Sequence, residues 1–175
     1  MTTPTHGEQL PDVVMPTCDH HQLLKGQKAI VTGANSGIGK GIAIALGEAG
    51  ADVVVNYVHD ERTADEVVQN IRRCGSKAYS YCADVSSEPQ VVEMFQKMVK
   101  EFGAIHILIN NAGLQKDAPF DQMTLDQWNF VIGVNLTGQF LCAQKAIPLL
   151  KASANPSDRD GRFPPVCRCT ARCAE

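Results

Sequence analysis

What this chain has little of already narrows it. One tryptophan and three tyrosines stand among 175 residues, and aromatics make up only 6%. Positive charge is not in surplus: 16 basic against 19 acidic side chains leave a formal charge of −3 and a pI near 5.9. A protein that tracks a phosphate backbone needs a basic stripe, so nucleic acid is excluded as a partner class. Apolar runs of membrane-spanning length are also missing, and the start lacks a charged segment followed by an apolar one. These absences predict a soluble, cytoplasmic protein with no membrane partner.

Seven cysteines do not make a disulfide framework. Cys18, Cys74, Cys82 and Cys142 are scattered, and Cys74, Cys82 and Cys142 lie in or beside regular elements, where small thiols pack as ordinary apolar groups. Cys167, Cys169 and Cys173 crowd the end without an obvious fourth ligand, and Cys18-Asp19-His20-His21 has no second cluster to complete a tetrahedral site. No metal is expected.

What is present, at 44% hydrophobic content, is enough for one folded domain. Its organising stretch is Lys28-Ala29-Ile30-Val31-Thr32-Gly33-Ala34-Asn35-Ser36-Gly37-Ile38-Gly39-Lys40. An apolar run stops in a glycine-rich turn and restarts as a helix, with Ile38, Ile42, Ala45 and Leu46 at helical spacing. A diphosphate needs closely approaching backbone N–H groups and a helix N-terminus, and glycines at 33, 37 and 39 remove the Cβ atoms that would block it. The spacing Gly-x3-Gly-x-Gly differs from the Gly-x-Gly-x2-Gly dinucleotide fingerprint. A bare turn of this kind could equally be a tight connection.

The chain then alternates. Ala51–Tyr57 reads as a second strand, Glu61–Arg73 as a helix closed by Cys74-Gly75, Lys77–Cys82 as a third strand, Glu88–Phe102 as a helix, and Ile105–Ile109 as a fourth strand. Thr124 starts a further helix that runs toward Val134-Asn135-Leu136-Thr137-Gly138, and Phe140–Leu150 resumes it. The pattern predicts an α/β fold: a Rossmann-type doubly wound parallel sheet, incomplete, with about four strands and flanking helices.

Thr32-Gly33-Ala34-Asn35-Ser36-Gly37-Ile38-Gly39, followed later by Asn110-Asn111-Ala112-Gly113, resembles the short-chain dehydrogenase/reductase family, close to its glucose 1-dehydrogenase-like members. The similarity covers about residues 24–147. It implies NAD(P)-dependent hydride transfer to or from a sugar, alcohol or carbonyl. The resemblance implies cofactor contacts at Gly33, Asn35, Ser36, Gly37, Ile38 and Gly39, at Asp84 and Val85 for the adenine, and at Ala112 and Gly113 for the ribose, with Asn111 steadying the sheet. Asp84 has an alternative reading as a turn cap, and Asn135 one as a polar break in a buried helix. By resemblance Asn135 bends its helix and holds a water of the proton relay, the one remnant of the catalytic set. Asn56, neutral at the end of the second strand, is expected where cofactor choice is made. With no acid there and with Arg62 and His59 nearby, although no basic residue stands at Ser36, the sequence leans weakly to NADP or dual use over NAD.

The catalytic tyrosine and lysine implied by the family are absent. Tyr57, Tyr79 and Tyr81 are not followed four residues later by lysine, and no lysine follows Lys151. From residue 152 the segment carries three prolines, four arginines and no period. We therefore expect a flexible leader over 1–23, a partial dinucleotide-binding domain over 24–151, and a non-family, disordered tail over 152–175, the product of a shifted frame or splice variant. Three readings remain open at this stage: a truncated dehydrogenase with impaired or no turnover, a non-catalytic dinucleotide- or partner-binding module, and an unstable fragment. A small-molecule substrate and a family-type homo-oligomer are both expected to be compromised.

Overall fold

A computed structural model describes residues 22–153. Most of the proposed tail, most of the proposed leader, and both cysteine-containing end groups lie outside those residues; 152 and 153, expected to open the tail, instead close the last helix, because the helix continues past Lys151. Four strands, β1 (Lys28–Val31), β2 (Asp52–Tyr57), β3 (Ala78–Cys82) and β4 (Ile107–Ile109), form one parallel sheet in the order β3-β2-β1-β4. Helices α1 (Gly37–Glu48), α2 (Glu61–Arg73) and α3 (Glu88–Phe102) make the crossovers, and α4 (Leu125–Ile132) and α5 (Gly138–Ser153) follow β4. Short apolar runs separated by amphipathic helices can bury both sheet faces only in this arrangement.

Strand alternation divides the core in two. Ala29, Val31, Val53, Val55 and Tyr57 face α1 and α2, where they meet Ala43, Val67 and Ile71. Ile30 and Val54 face the other way, against Met94, Met98, Leu141 and Cys142 from α3 and α5. Burial pushes the Cys142 thiol up to about 11, so it behaves there as an apolar group. At the sheet's N-terminal edge Lys28 Nζ lies 2.7 Å from Asp52 Oδ2, and Asp52 Oδ1 accepts from the Lys77 backbone N–H. Partial burial raises the Asp52 pKa, but the Lys28 hydrogen bond, the Lys77 amide and the two ammonium charges outweigh it, and the net shift is downward.

The helices α2 and α3 occupy the expected bounds, while β4 is shorter than its apolar run. Ile105 is fully buried against α3 and α5 and serves as a lead-in, and register with β1 begins at Ala29 opposite Ile107. The larger departure is between α4 and α5, where Gly133–Thr137 forms a π-helical turn. Its extra residue rotates the later helix relative to the earlier one.

Candidate functional site

All four strands point their C-terminal ends the same way, and the order reverses between β1 and β4. Open α/β sheets bind ligands in the crevice at this switch point. The loops that meet there are Thr32–Ser36 after β1 and Asn110–Leu114 after β4, flanked by the β2 and β3 ends.

Thr32 ties the two loops together. Its hydroxyl accepts from the backbone N–H groups of Asn111 at 2.9 Å and Ala112 at 3.0 Å, and its own N–H donates to the Ile109 carbonyl. Asn111 returns the contact: its side-chain amide donates to the Thr32 carbonyl at 2.9 Å and the Gly33 carbonyl at 3.0 Å. A side chain at Gly39 would overlap that Gly33 carbonyl and the Asn111 amide, and at Gly33 it would stand 3.0 Å from the Ala112 Cα. Gly33 also has φ +59°. The turn is thus closed so tightly over Asn111 that only glycine fits, which is the shape a diphosphate cradle requires.

Gly37 is glycine for a different reason. Nothing lies within 4 Å of where its Cβ would be, but its φ is +54°. Ser36 caps α1 in extended conformation with no side-chain bond to the helix, leaving the first-turn N–H groups outward. Ser36, Gly37 and Ile38 form the exposed rim, with Ile38 78% accessible, an apolar flap beside polar donors.

Asn35 faces the neighbouring loop. Its amide donates to the His59 carbonyl at 3.0 Å and to Thr63 Oγ1 at 3.3 Å, pinning the β2–α2 connection against the glycine turn. Asn56 lies deeper than the sequence suggested. It is 1% exposed, its Oδ1 accepts from Gly33 N–H at 3.2 Å, and its Nδ2 donates to the Ala83 carbonyl at 2.9 Å. It clamps the glycine turn to the end of β3.

Asp84 Oδ1 accepts from the Ser86 N–H and hydroxyl at 2.9 and 2.7 Å, an Asx turn leading into α3. Its other carboxylate oxygen takes no bond from a described residue. Val85 is buried, and a Cβ on Gly138 of α5 would stand 2.7 Å from it. Gly113 is exposed beside the Asn135 amide. Asn135 sits in the π-turn and makes a two-point clamp on Leu114, accepting from its N–H and donating to its carbonyl, both at 2.9 Å.

The structure therefore brings Gly33, Asn35, Ser36, Gly37, Ile38, Gly39, Asn111, Ala112 and Gly113 to one crevice, with Asp84 on its flank and Asn135 supporting its rim. Sequence reasoning missed Thr32. The available signal was a small hydroxyl residue at the end of a buried strand, where two β-loop N–H groups need an acceptor.

The family model described as short chain dehydrogenase matches residues 27–160. Among solved structures, a protein of Sinorhizobium meliloti 1021 assigned as a short-chain alcohol dehydrogenase superposes with a TM-score of 0.71 at 33% identity, over 75% of this chain and 52% of the other. A short chain dehydrogenase of Burkholderia cenocepacia J2315, in complex with NADP, gives 0.71 at 34% identity, over 73% of this chain and 52% of the other. The chain spans about half the length of these structures.

Proposed function

The chain belongs to the short chain dehydrogenase family, and from that premise we propose that it binds a nicotinamide dinucleotide, NAD or NADP, without turning over a sugar or alcohol by itself. The observation that carries the reading is the glycine turn closed over Asn111, where any Cβ at Gly39 would collide with the Gly33 carbonyl. The group fits the residues present. The glycine turn and the start of α1 would hold the diphosphate, Asp84 and Val85 the adenine, and Ala112 and Gly113 the nicotinamide ribose. When bound, the dinucleotide supplies hydride transfer. The relative crystallised with NADP supports a dinucleotide as the ligand class.

The 175 residues contain no tyrosine followed four positions later by lysine. A free phenol with pKa about 10 is a poor proton carrier at neutral pH unless a neighbouring cation lowers it. Tyr57 and Tyr79 do not supply one: burial, followed by nearby acidic charge, raises the pKa of both. Glucose 1-dehydrogenase-like chemistry belongs to this proposal only as the relationship of the cofactor half.

A second reading, a non-catalytic partner-binding module, is favoured by β4, which among the described residues pairs only with β1. Thermal unfolding with NAD or NADP, paired with a nicotinamide-reduction assay on glucose and simple alcohols, separates them. The expected result is a melting temperature that rises with dinucleotide concentration and no reduction. An unmoved melting temperature overturns the dinucleotide reading, and robust reduction overturns the inactive one.

A further inference from the structure

The choice between NAD and NADP is made where the adenine ribose meets the end of β2, because an acid there bonds the 2′-hydroxyl and repels a 2′-phosphate. The lean toward NADP rested on Asn56 as the neutral residue at that place. Asn56 is buried and its amide is committed to Gly33, Ala83 and Tyr81, so it presents nothing to a ribose. What does surround the β2 end is acidic.

The connection from β2 to α2 is only Val58-His59-Asp60, and Asp60 turns it with φ +62°. Asn35 of the glycine turn holds this connection by the His59 carbonyl and Thr63 Oγ1. The first turn of α2 is thereby fixed beside the cradle, and it opens with two carboxylates. Asp60 caps the helix by accepting from Thr63 N–H at 3.2 Å. Glu61, the first helical residue, lies about 20 residues beyond the last glycine, the interval at which dinucleotide folds place their ribose acid. Tyr57, the last residue of β2, is 7% exposed, and burial, followed by the Glu61 charge close by, raises its phenol pKa.

The cations nearby do not offset this. Arg62 is 86% exposed and its guanidinium stands 3.8 Å from Glu66, one turn further along α2, and the His59 side chain is exposed. Two carboxylates in the first turn also neutralise the positive pole of α2, which a 2′-phosphate would otherwise use.

We propose that Glu61, placed beside the cradle by the Asn35 contacts and reinforced by Asp60, is the specificity-determining residue of the adenine ribose subsite and sets this chain to prefer NAD over NADP. The acid comes from the first turn of the helix that follows the strand. The proposal rests on the dinucleotide reading above.

The test is calorimetric titration of the full chain with NAD and NADP, and with the fragments adenosine 5′-monophosphate and adenosine 2′,5′-bisphosphate, for wild type, Glu61→Gln and Glu61→Arg. Glu61 is exposed, and unchanged thermal unfolding of both variants without ligand establishes that they fold. We expect wild type to bind NAD about tenfold more tightly than NADP, Glu61→Gln to narrow that ratio, and Glu61→Arg to invert it. The two fragments should follow the same order, which isolates the effect to the 2′ position. Equal affinity of wild type for NAD and NADP, or a ratio unmoved in both variants, overturns the proposal and leaves dinucleotide binding standing. Binding of neither dinucleotide to wild type overturns both.

Discussion

The three glycines of the turn stand or fall for different reasons, and this makes them separable by mutation. At Gly39 a methyl group would meet the Gly33 carbonyl and the Asn111 amide, both held in place by the bonds around Thr32. Neither partner is the free end of a flexible chain, so the turn itself must open. Gly39→Ala is expected to cost about 3 kcal/mol in urea unfolding and to abolish the dinucleotide-dependent rise in melting temperature. At Gly37 there is empty space and only the left-handed φ opposes a side chain, so Gly37→Ala should cost about 1 kcal/mol and leave the turn closed. If the two variants proved equally unstable, close packing would not be what fixes Gly39. The glycine positions were legible in the sequence because their spacing survives as a string. The roles of Thr32 and Asn56 were not. Both act through hydrogen bonds to residues 23 to 80 positions away, and a one-dimensional pattern shows a polar residue ending an apolar run without showing which loop it will hold.

At the scale of elements, helix bounds were legible where caps and periodicity agreed. Thr124 receives Gln127 N–H while the Gln127 side chain returns to Thr124 N–H, a reciprocal cap that starts α4 where the sequence placed it. Both Glu61–Arg73 and Glu88–Phe102 end at glycines with positive φ one or two residues on. The π-turn at Gly133–Thr137 was visible only as an expected bend at Asn135, because a five-residue widening leaves the apolar spacing nearly intact. Its function is readable in three dimensions. The widened turn carries the Asn135 side chain to the backbone of Leu114, and so fixes the loop just after Ala112 and Gly113. Asn135→Ala leaves one N–H and one carbonyl of Leu114 without partners and should cost about 1 to 2 kcal/mol. The discriminating readout is hydrogen exchange. Protection should fall at Leu114 while β1 and β2 amides keep theirs, and a uniform loss across the sheet would mean Asn135 supports the fold as a whole rather than this loop.

Among the described residues, the two sides of the molecule differ in how well their surfaces are finished. The α1 and α2 side is closed over a continuous apolar layer, but on the other side α4, the π-turn and α5 leave large side chains in solvent. Leu136, Phe140 and Ile147 are 63%, 60% and 48% exposed; Phe140 and Ile147, seven residues apart, share one face of α5, and Leu136 precedes them in the π-turn. Trp128 and Phe130 on α4 are each 52% exposed, and β4 alongside offers a strand edge that is unpaired among the described residues. An isolated exposed leucine is ordinary, whereas a stripe of this length beside an open edge is a surface that associates. Sedimentation velocity across a concentration series should therefore show self-association of the purified chain. Leu136→Gln with Phe140→Gln should shift the distribution toward monomer while changing unfolding free energy by no more than about 0.5 kcal/mol, as expected for exposed positions. A double variant that associates as strongly as wild type would move the cause to the β4 edge. A variant that loses several kcal/mol would show instead that the stripe is covered within the monomer.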